Sequence, residues 1–302
     1  MNIINVENIT KSFTERKLFS KASFYVQERE KIGIVGINGT GKSTLLKIIA
    51  GVEEPEEGTV TMANHIVVNY LPQNPVFDPE KSVLLNVMEK AGTKQMDEAH
   101  HFTMESEAKS LMNRLGITDF KQKAGELSGG QRKRLALVAA VLAPCDVLLL
   151  DEPTNHLDYD MVEWLEDFLR RWRGALIMVT HDRYFLDSVC TRIVEIDKGA
   201  VYSYDTNYSG FLQRKAEREE SWRATERKRQ SVLRKEIEWM MRGARARSTK
   251  QKAHIQRYEA LRDQKGPEVS EKLQMGSVST RLGRTTVEID HINKAYGDRV
   301  LI

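Results

Sequence analysis

Apolar positions in the first two thirds of the chain alternate between short β-branched runs and helical spacing. Continuous apolar runs predict buried strands at 31–35, 147–150 and 176–179, and a helical pattern begins at about Lys42. Apolar strands that alternate with helices are typical of a parallel sheet. We therefore predict an α/β domain with a parallel sheet over residues 1–204.

The pattern changes after Tyr204. Residues 205–267 are rich in Arg, Lys, Glu and Gln, with apolar positions at helical spacing, and Gly266-Pro267 ends the pattern. Gly243 interrupts it within the basic stretch RGARARSTKQKAH, which suits the tip of an antiparallel helical hairpin. The apolar positions that anchor the two predicted helices are Trp222, Leu233, Ile237, Met240, Met241, Ile255, Tyr258 and Leu261.

The last sixteen residues repeat the pattern of the first strands. VEIDHINKAYGDRVLI, residues 287–302, aligns with INVENITKSFTERKLF, residues 4–19, at a constant offset of 283 residues. An apolar alternation that agrees in register over this length predicts an internal repeat. We expect 268–286 to be a connector and 287–302 to begin a second copy of the first domain, in a longer protein. Without the rest of a second sheet, the chain after Met275 is expected to be disordered or to pair with a neighbour's sheet edge. The matching pairs include Ile292 with Ile9, Lys294 with Lys11, Arg299 with Arg16 and Leu301 with Leu18.

Charge is unevenly distributed. The formal net charge is only +3, yet residues 214–265 carry seventeen Lys or Arg against eight Asp or Glu. The rest of the chain is therefore net acidic. A basic appendage suits a polyanionic partner, and a solvated helix surface is the alternative interpretation of the same pattern.

The cysteines and the N-terminus favour a cytoplasmic protein. Cys145 and Cys190 lie in apolar surroundings without CxxC spacing, which favours reduced, buried thiols. The N-terminus lacks the features of a signal peptide, and the longest apolar run, 135–143, is shorter than the roughly 18 residues that span a bilayer. We expect a soluble protein.

His100 and His101 have no Cys or acidic partner at ligand spacing, so they are not assigned to a metal.

The stretch GINGTGKST, residues 36–44, has a strand before it and a helical pattern after it, as a phosphate-binding P-loop requires. Its glycines allow backbone N–H groups to surround an anion at a helix N-terminus. Lys42 is expected to bridge the β- and γ-phosphates of a nucleotide, and Ser43 to offer its hydroxyl to Mg²⁺. The candidate nucleotide-binding residues of this loop are Gly36, Asn38, Gly39, Thr40, Gly41, Lys42, Ser43 and Thr44.

Two carboxylates and a histidine follow later strands of the predicted sheet. Asp151 and Glu152 end the run VLLLDE, and His181 follows the strand at 176–179. Parallel strands present ligand sites at their carboxyl ends, beside the P-loop. Asp151 is expected to hold Mg²⁺ through its water shell and Glu152 to deprotonate the attacking water. His181 is expected to contact the γ-phosphate and hold Glu152 and the water in register.

The stretch LSGGQRKR, residues 127–134, resembles the signature of ATP-binding cassette (ABC) proteins. With GINGTGKST, YLPQN, DEPTNHLD and VTHD, it identifies the first domain as a member of that family. The resemblance implies an α/β P-loop NTPase fold with an antiparallel β subdomain and a helical subdomain. The stretch between Gln73 and Ser128 is long enough for an ordinary helical subdomain without a large inserted arm.

The resemblance also implies roles for residues outside the P-loop. Gln73 would sense Mg²⁺ and water, Phe13 would stack on adenine, and Asp158 would lie in the loop between opposing cassettes. The family more often has tyrosine at the position of Phe13, and the repeat has Tyr296 there. The signature residues, which would cap the nucleotide held by an opposing cassette, are Ser128, Gly129, Gly130 and Gln131.

Paired cassettes, a basic hairpin between them and the string DEPTNHLD together resemble the soluble ABC-F family, most closely its Uup branch. This implies an ATPase that hydrolyses Mg-ATP at sites shared with a second cassette or a homodimer partner, and that is weakly active alone. It also implies a hairpin that reaches the ribosome and its tRNA. The alternatives are a DNA-binding ATPase that acts on branched DNA or in transposon excision, and the ATPase subunit of a transporter. The predicted nucleic-acid contacts are Arg242, Arg245, Arg247, Lys250 and Lys252.

Overall fold

The structure, a computed structural model, describes residues 1–13, 16–92, 98–241, 256, 258–260, 262–263, 293, 295–296 and 299–300. The chain divides into two units, Met1–Glu220 and Ser221–Ile302. The strands are β1 (Asn2–Phe13), β2 (Arg16–Gln27), β3 (Lys31–Gly36), β4 (Glu57–Met62), β5 (Val68–Leu71), β6 (Val147–Asp151), β7 (Ala175–Val179), β8 (Arg192–Asp197), β9 (Ala200–Tyr204), β10 (Ala295–Tyr296) and β11 (Arg299–Val300). The helices are α1 (Lys42–Ile49), α2 (Val83–Lys90), α3 (Glu98–Arg114), α4 (Gly129–Leu142), α5 (Tyr159–Arg171), α6 (Arg183–Val189) and α7 (Tyr208–Met241).

A six-stranded sheet in the order β5-β6-β7-β3-β8-β9 forms the centre of the first unit. Its first five strands are parallel, and β9 is antiparallel to β8. Along β6, Val147 and Leu149 belong to one hydrophobic core and Leu148 and Leu150 to another. Successive side chains of a strand point to opposite faces, so a strand buried on both faces needs an unbroken apolar run. The predicted parallel sheet is confirmed.

The two hydrophobic cores define the layers of this unit. One joins the antiparallel sheet β2-β1-β4, the helix α1 and one face of the main sheet. The other joins α2 to α6 and the opposite face, and α2, α3 and α4 contact one another as a helical subdomain. The fold is therefore an α/β domain with an antiparallel β subdomain and a helical subdomain, the architecture that the resemblance implies.

A buried carboxylate attaches the first turns of α7 to β8 and β9. Glu195, only 2% exposed, accepts hydrogen bonds from the ammonium of Lys215, from Nη2 of Arg218 at 2.8 Å and from the hydroxyl of Tyr204 at 3.2 Å. A buried charge of this kind must be paired, because its removal from water is costly. The first unit, Met1–Glu220, accordingly includes the first turns of α7, and the domain boundary at 204 stays a prediction.

The second unit contains the local pairing expected of the repeat. In β10 and β11, Ala295 pairs with Val300 and Tyr296 with Arg299, as Ser12 pairs with Lys17 and Phe13 with Arg16 in β1 and β2. Each residue number differs by the same 283 as in the sequence alignment. The four described residues of this ladder thus pair with one another, and the expectation of disorder or pairing with a neighbour stays a prediction. The division into two cassettes stays a prediction.

The predicted hairpin is described only in part. Its first helix is α7, and residues 258–260 and 262–263 are also helical. The predicted tip at 242–255 lies outside the described residues. Within the described part of the chain, no helix has both the length and the apolar character needed to cross a membrane. Cys145 and Cys190 are free thiols, the second of them buried.

We expect Glu195→Gln to lower the free energy of unfolding by about 3 kcal/mol, because the variant lacks the buried negative charge that Lys215 and Arg218 contact. Asp167→Asn is the matched control, since the Asp167–Arg171 pair has side chains that are 55% and 82% exposed and exposed pairs add little to stability. Urea unfolding followed by circular dichroism measures both variants. Equal stability of the two variants would contradict the anchoring role of Glu195.

Candidate nucleotide-binding site

An open cavity of about 590 Å³ lies at the carboxyl ends of β3, β6 and β7. The P-loop lines one side of it, and residues that follow β5, β6 and β7 line the other. Phe13 and Leu18, at the hairpin between β1 and β2, lie at its edge, and Phe13 is 74% exposed. The lining residues are Phe13, Leu18, Asn38, Gly39, Gly41, Lys42, Ser43, Thr44, Gln73, Glu152, Asn155, Val179 and His181.

The P-loop conformation depends on glycine at the start of α1. Gly41 is the N-cap of this helix, with φ +95°, and a Cβ there would lie 2.8 Å from Cε1 of Phe19. Lys42 folds back across the loop, where its ammonium donates to the carbonyls of Gly36 at 2.9 Å and Ile37 at 3.2 Å. Burial lowers the pKa of Lys42. The ammonium is thus held next to the backbone N–H groups that would receive phosphates.

Ser43 and the end of β6 supply oxygen ligands suited to Mg²⁺. The Ser43 hydroxyl donates to Oδ1 of Asp151 at 3.0 Å. Oδ2 of Asp151 is buried and has no hydrogen-bond partner among the described residues. Burial raises the pKa of Asp151, against the hydrogen bond from Ser43. Asp151 and Gln73 line one small pocket. A buried carboxylate oxygen without a donor, beside the Ser43 hydroxyl, fits a hard divalent cation.

Glu152 and His181 form the predicted pair. Glu152 has φ +55°, a left-handed conformation that side chains other than glycine seldom adopt, and its N–H donates to the carbonyl of Val179 at 2.8 Å. This turn places Oε1 of Glu152 3.4 Å from Nε2 of His181. Burial raises the pKa of Glu152, and the neighbouring His181 opposes that effect. A carboxylate with raised basicity therefore lies beside the loop that would hold phosphates.

The signature residues lie elsewhere in the same unit. Ser128 caps α4: its hydroxyl accepts from the Gln131 N–H at 3.2 Å, and the Gln131 side chain accepts from the Ser128 N–H at 2.9 Å. Ser128 and Gly129 are exposed, and a Cβ on Gly129 would meet no atom within 4 Å. The helix α4 therefore begins with a capping box at exposed residues, and none of the signature residues lines the cavity that contains the P-loop.

The cavity brings together ten of the predicted residues. Asn155, Leu18 and Val179 also line it and were not predicted as site residues. Asn155 follows Glu152 by three residues in DEPTN, a spacing that could have indicated it, whereas the two apolar residues carry no chemical signal. Asp158 caps α5, accepting from the Met161 N–H at 3.0 Å. The predicted residues that do not line the cavity are Gly36, Thr40, Asp151, Ser128, Gly129, Gly130, Gln131 and Asp158, and the predicted contacts Arg242, Arg245, Arg247, Lys250 and Lys252 lie outside the described residues.

Fold and site together define an ABC ATPase domain. Two family models, both described as ABC transporter, match residues 19–155 and 194–275. The similar proteins include an uncharacterized ABC transporter ATP-binding protein of Bacillus subtilis, YfmR, which is 40% identical over 100% of this chain and 53% of its own length. They also include the energy-dependent translational throttle protein EttA of Escherichia coli K12, 36% identical over 90% of this chain and 55% of its own length. The chain spans about half the length of these curated relatives.

Solved structures show the same fold. An ATP-binding subunit of an ABC transporter superposes with a TM-score of 0.61 at 21% identity, over 67% of this chain and 90% of its own. A dimeric ATP-binding cassette in a post-hydrolysis state, bound to ADP and Pi, has a TM-score of 0.59 at 23% identity, over 67% of this chain and 98% of its own. The chain therefore contains a complete ABC nucleotide-binding domain fold.

We expect Lys42→Ala to weaken ATP binding about 100-fold, because a charge-assisted contact to the phosphates is lost at a partly desolvated site. Lys47→Ala is the control: Lys47 lies on the same helix but is exposed and outside the cavity. Isothermal titration calorimetry with Mg-ATP measures both variants. Unchanged affinity in Lys42→Ala would contradict the assignment of this loop to phosphate binding.

Proposed function

We propose that this chain is the first cassette of a tandem ABC-F type ATPase, which binds and hydrolyses Mg-ATP at sites shared between two cassettes. One observation carries the proposal. The P-loop, Glu152 and His181 line a single open cavity, whereas Ser128 and Gly129 lie outside it at an exposed helix N-terminus. One cassette therefore supplies two different halves of a site. The missing half comes from a second cassette of the same chain or from a second copy.

Binding depends on the residues around the cavity. Phe13 stacks on adenine, and Lys42 and the P-loop N–H groups hold the β- and γ-phosphates. Mg²⁺, when bound, neutralises charge on the phosphates, and Ser43, Asp151 and Gln73 are the residues that would hold it. ATP between two cassettes stabilises their association, because it binds both surfaces at once.

Hydrolysis depends on Glu152 and His181. Glu152 orients a water molecule toward the γ-phosphate and accepts its proton, for which the raised pKa of this carboxyl is suited. His181 lies 3.4 Å from Glu152 and holds the carboxylate in the orientation that the water requires. Loss of the γ-phosphate then removes the contact to the opposing signature residues, and the cassettes separate.

We expect Glu152→Gln to bind Mg-ATP with normal affinity and to hydrolyse it at least about 100-fold more slowly, because the amide cannot accept the proton. The variant should form an ATP-dependent dimer on gel filtration, and turnover by the unchanged chain should rise with protein concentration. Glu163→Gln, at an exposed position of α5, is the control. A monomer in ATP, or fast turnover that is independent of protein concentration, would contradict a shared site.

We propose that the partner is the ribosome with its tRNA, as the resemblance to the ABC-F family implies. Within that family, we propose that the protein is most similar to the Uup branch. Relatives at 35 to 36% identity are named energy-dependent translational throttle proteins. The excess of Lys and Arg over residues 214–265 favours a phosphate-rich partner. Arg242, Arg245, Arg247, Lys250 and Lys252 would contact its backbone without reading its sequence.

Sedimentation with ribosomes tests this partner. The tandem protein with Glu152→Gln should co-sediment in ATP, and the change of Arg245 and Arg247 to alanine should abolish co-sedimentation. The same change at Arg170 and Arg171, exposed on α5, removes equal charge and should have no effect. Branched DNA is the competitor in the same salt. Retention by DNA alone would assign the protein to DNA maintenance, and binding to neither would contradict the hairpin's role.

A further inference from the structure

Two threonine hydroxyls connect the loops that carry Glu152 and His181. β6 and β7 are parallel neighbours, with Asp151 opposite Val179, and the Glu152 N–H adds one more bond to the Val179 carbonyl. Beyond that bond, Oγ1 of Thr154 and Oγ1 of Thr180 lie 2.9 Å apart in a hydrogen bond. The connection between the two strands therefore continues through side chains after the backbone ladder has ended.

The Thr180 hydroxyl also holds the backbone on both sides of His181. It accepts from the Asp182 N–H at 3.1 Å, and the Asp182 carboxylate in turn accepts from the Phe185 N–H at 3.0 Å at the start of α6. The His181 side chain is 61% exposed. Because so little of the ring is packed, its position depends chiefly on the backbone that Thr180 holds.

On the other loop, Thr154 follows a strained residue. Glu152 is in the left-handed region, which persists in a residue with a side chain only when surrounding contacts maintain it. Thr154 lies two residues further along and is bonded to Thr180, which is only 4% exposed. A buried hydroxyl that loses its partner is costly, so this bond resists separation of the loops.

We propose that Thr154 and Thr180 are positioning residues for ATP hydrolysis, whose paired hydroxyls hold the Glu152 carboxylate and the His181 imidazole at a fixed separation. The proposal rests on the proposed ATPase function. Neither threonine lines the nucleotide cavity, so they act through Glu152 and His181 and do not touch ATP. Their effect is therefore expected in the hydrolytic step and not in binding.

Steady-state hydrolysis by valine and serine variants tests the proposal. Valine keeps the shape of threonine without the hydroxyl, so Thr154→Val and Thr180→Val should each lower kcat about tenfold with KM little changed. Thr154→Ser and Thr180→Ser keep the hydroxyl and should restore turnover. The double valine variant should be no slower than the slower single variant, because the pair acts as a unit. Thr118→Val, at an exposed threonine, is the control.

Three results would overturn the proposal: unchanged kcat in the valine variants, serine variants as impaired as the valine variants, or parallel losses of kcat, ATP affinity and Tm. If the parent chain shows no turnover at any protein concentration, the proposed function fails instead. Hydrogen exchange of the Asp182 amide then decides the role of the pair. Thr154→Val, a change on the opposite loop, should speed this exchange about tenfold and Thr154→Ser should not. Unchanged exchange would reject the connection between the loops.

Discussion

Parallel pairing of β3 with β7, and of β7 with β6, is the interaction on which the rest of the site depends. It ends the three strands at one edge of the sheet, so that the P-loop, the acidic pair and the histidine lie together although they are far apart in sequence. The apolar side chains on both faces of these strands provide the burial that holds this arrangement. The same burial raises the pKa of Asp151 and Glu152. Burial therefore stabilises the arrangement of the strands and also increases the basicity of these two carboxylates.

The domain leaves exposed both its cavity and part of its signature sequence, which an enzyme with a complete site in one domain would enclose. Its cavity is open, and the exposed Ser128 and Gly129 lie at a helix end where a capping box forms within its own chain. Capping by Gln131 fixes the shape of this surface in advance of the association that we propose with a second cassette. Preorganisation of that kind lowers the ordering cost of association.

The strands and the P-loop were predictable because each has a local pattern. Apolar runs marked β3, β6 and β7, and glycine spacing marked the P-loop. Local patterns could not reveal contacts that form only in the fold. The Thr154–Thr180 bond joins residues 26 positions apart, and Glu195 meets Lys215 and Arg218 only when α7 packs on the sheet. The left-handed conformation of Glu152 likewise accompanies a contact between strands, the hydrogen bond from its N–H to the Val179 carbonyl.

The buried carboxylate of Glu195 links the strand β8 to the helix α7. β8 pairs with the P-loop strand, with Ile196 opposite Gly36, and a Cβ on Gly36 would lie 2.6 Å from the Ile196 carbonyl. Glu195, the next residue on the same strand, holds the first turns of α7 through Arg218. The strand that leads into the P-loop is therefore linked to the base of α7 through the single strand β8.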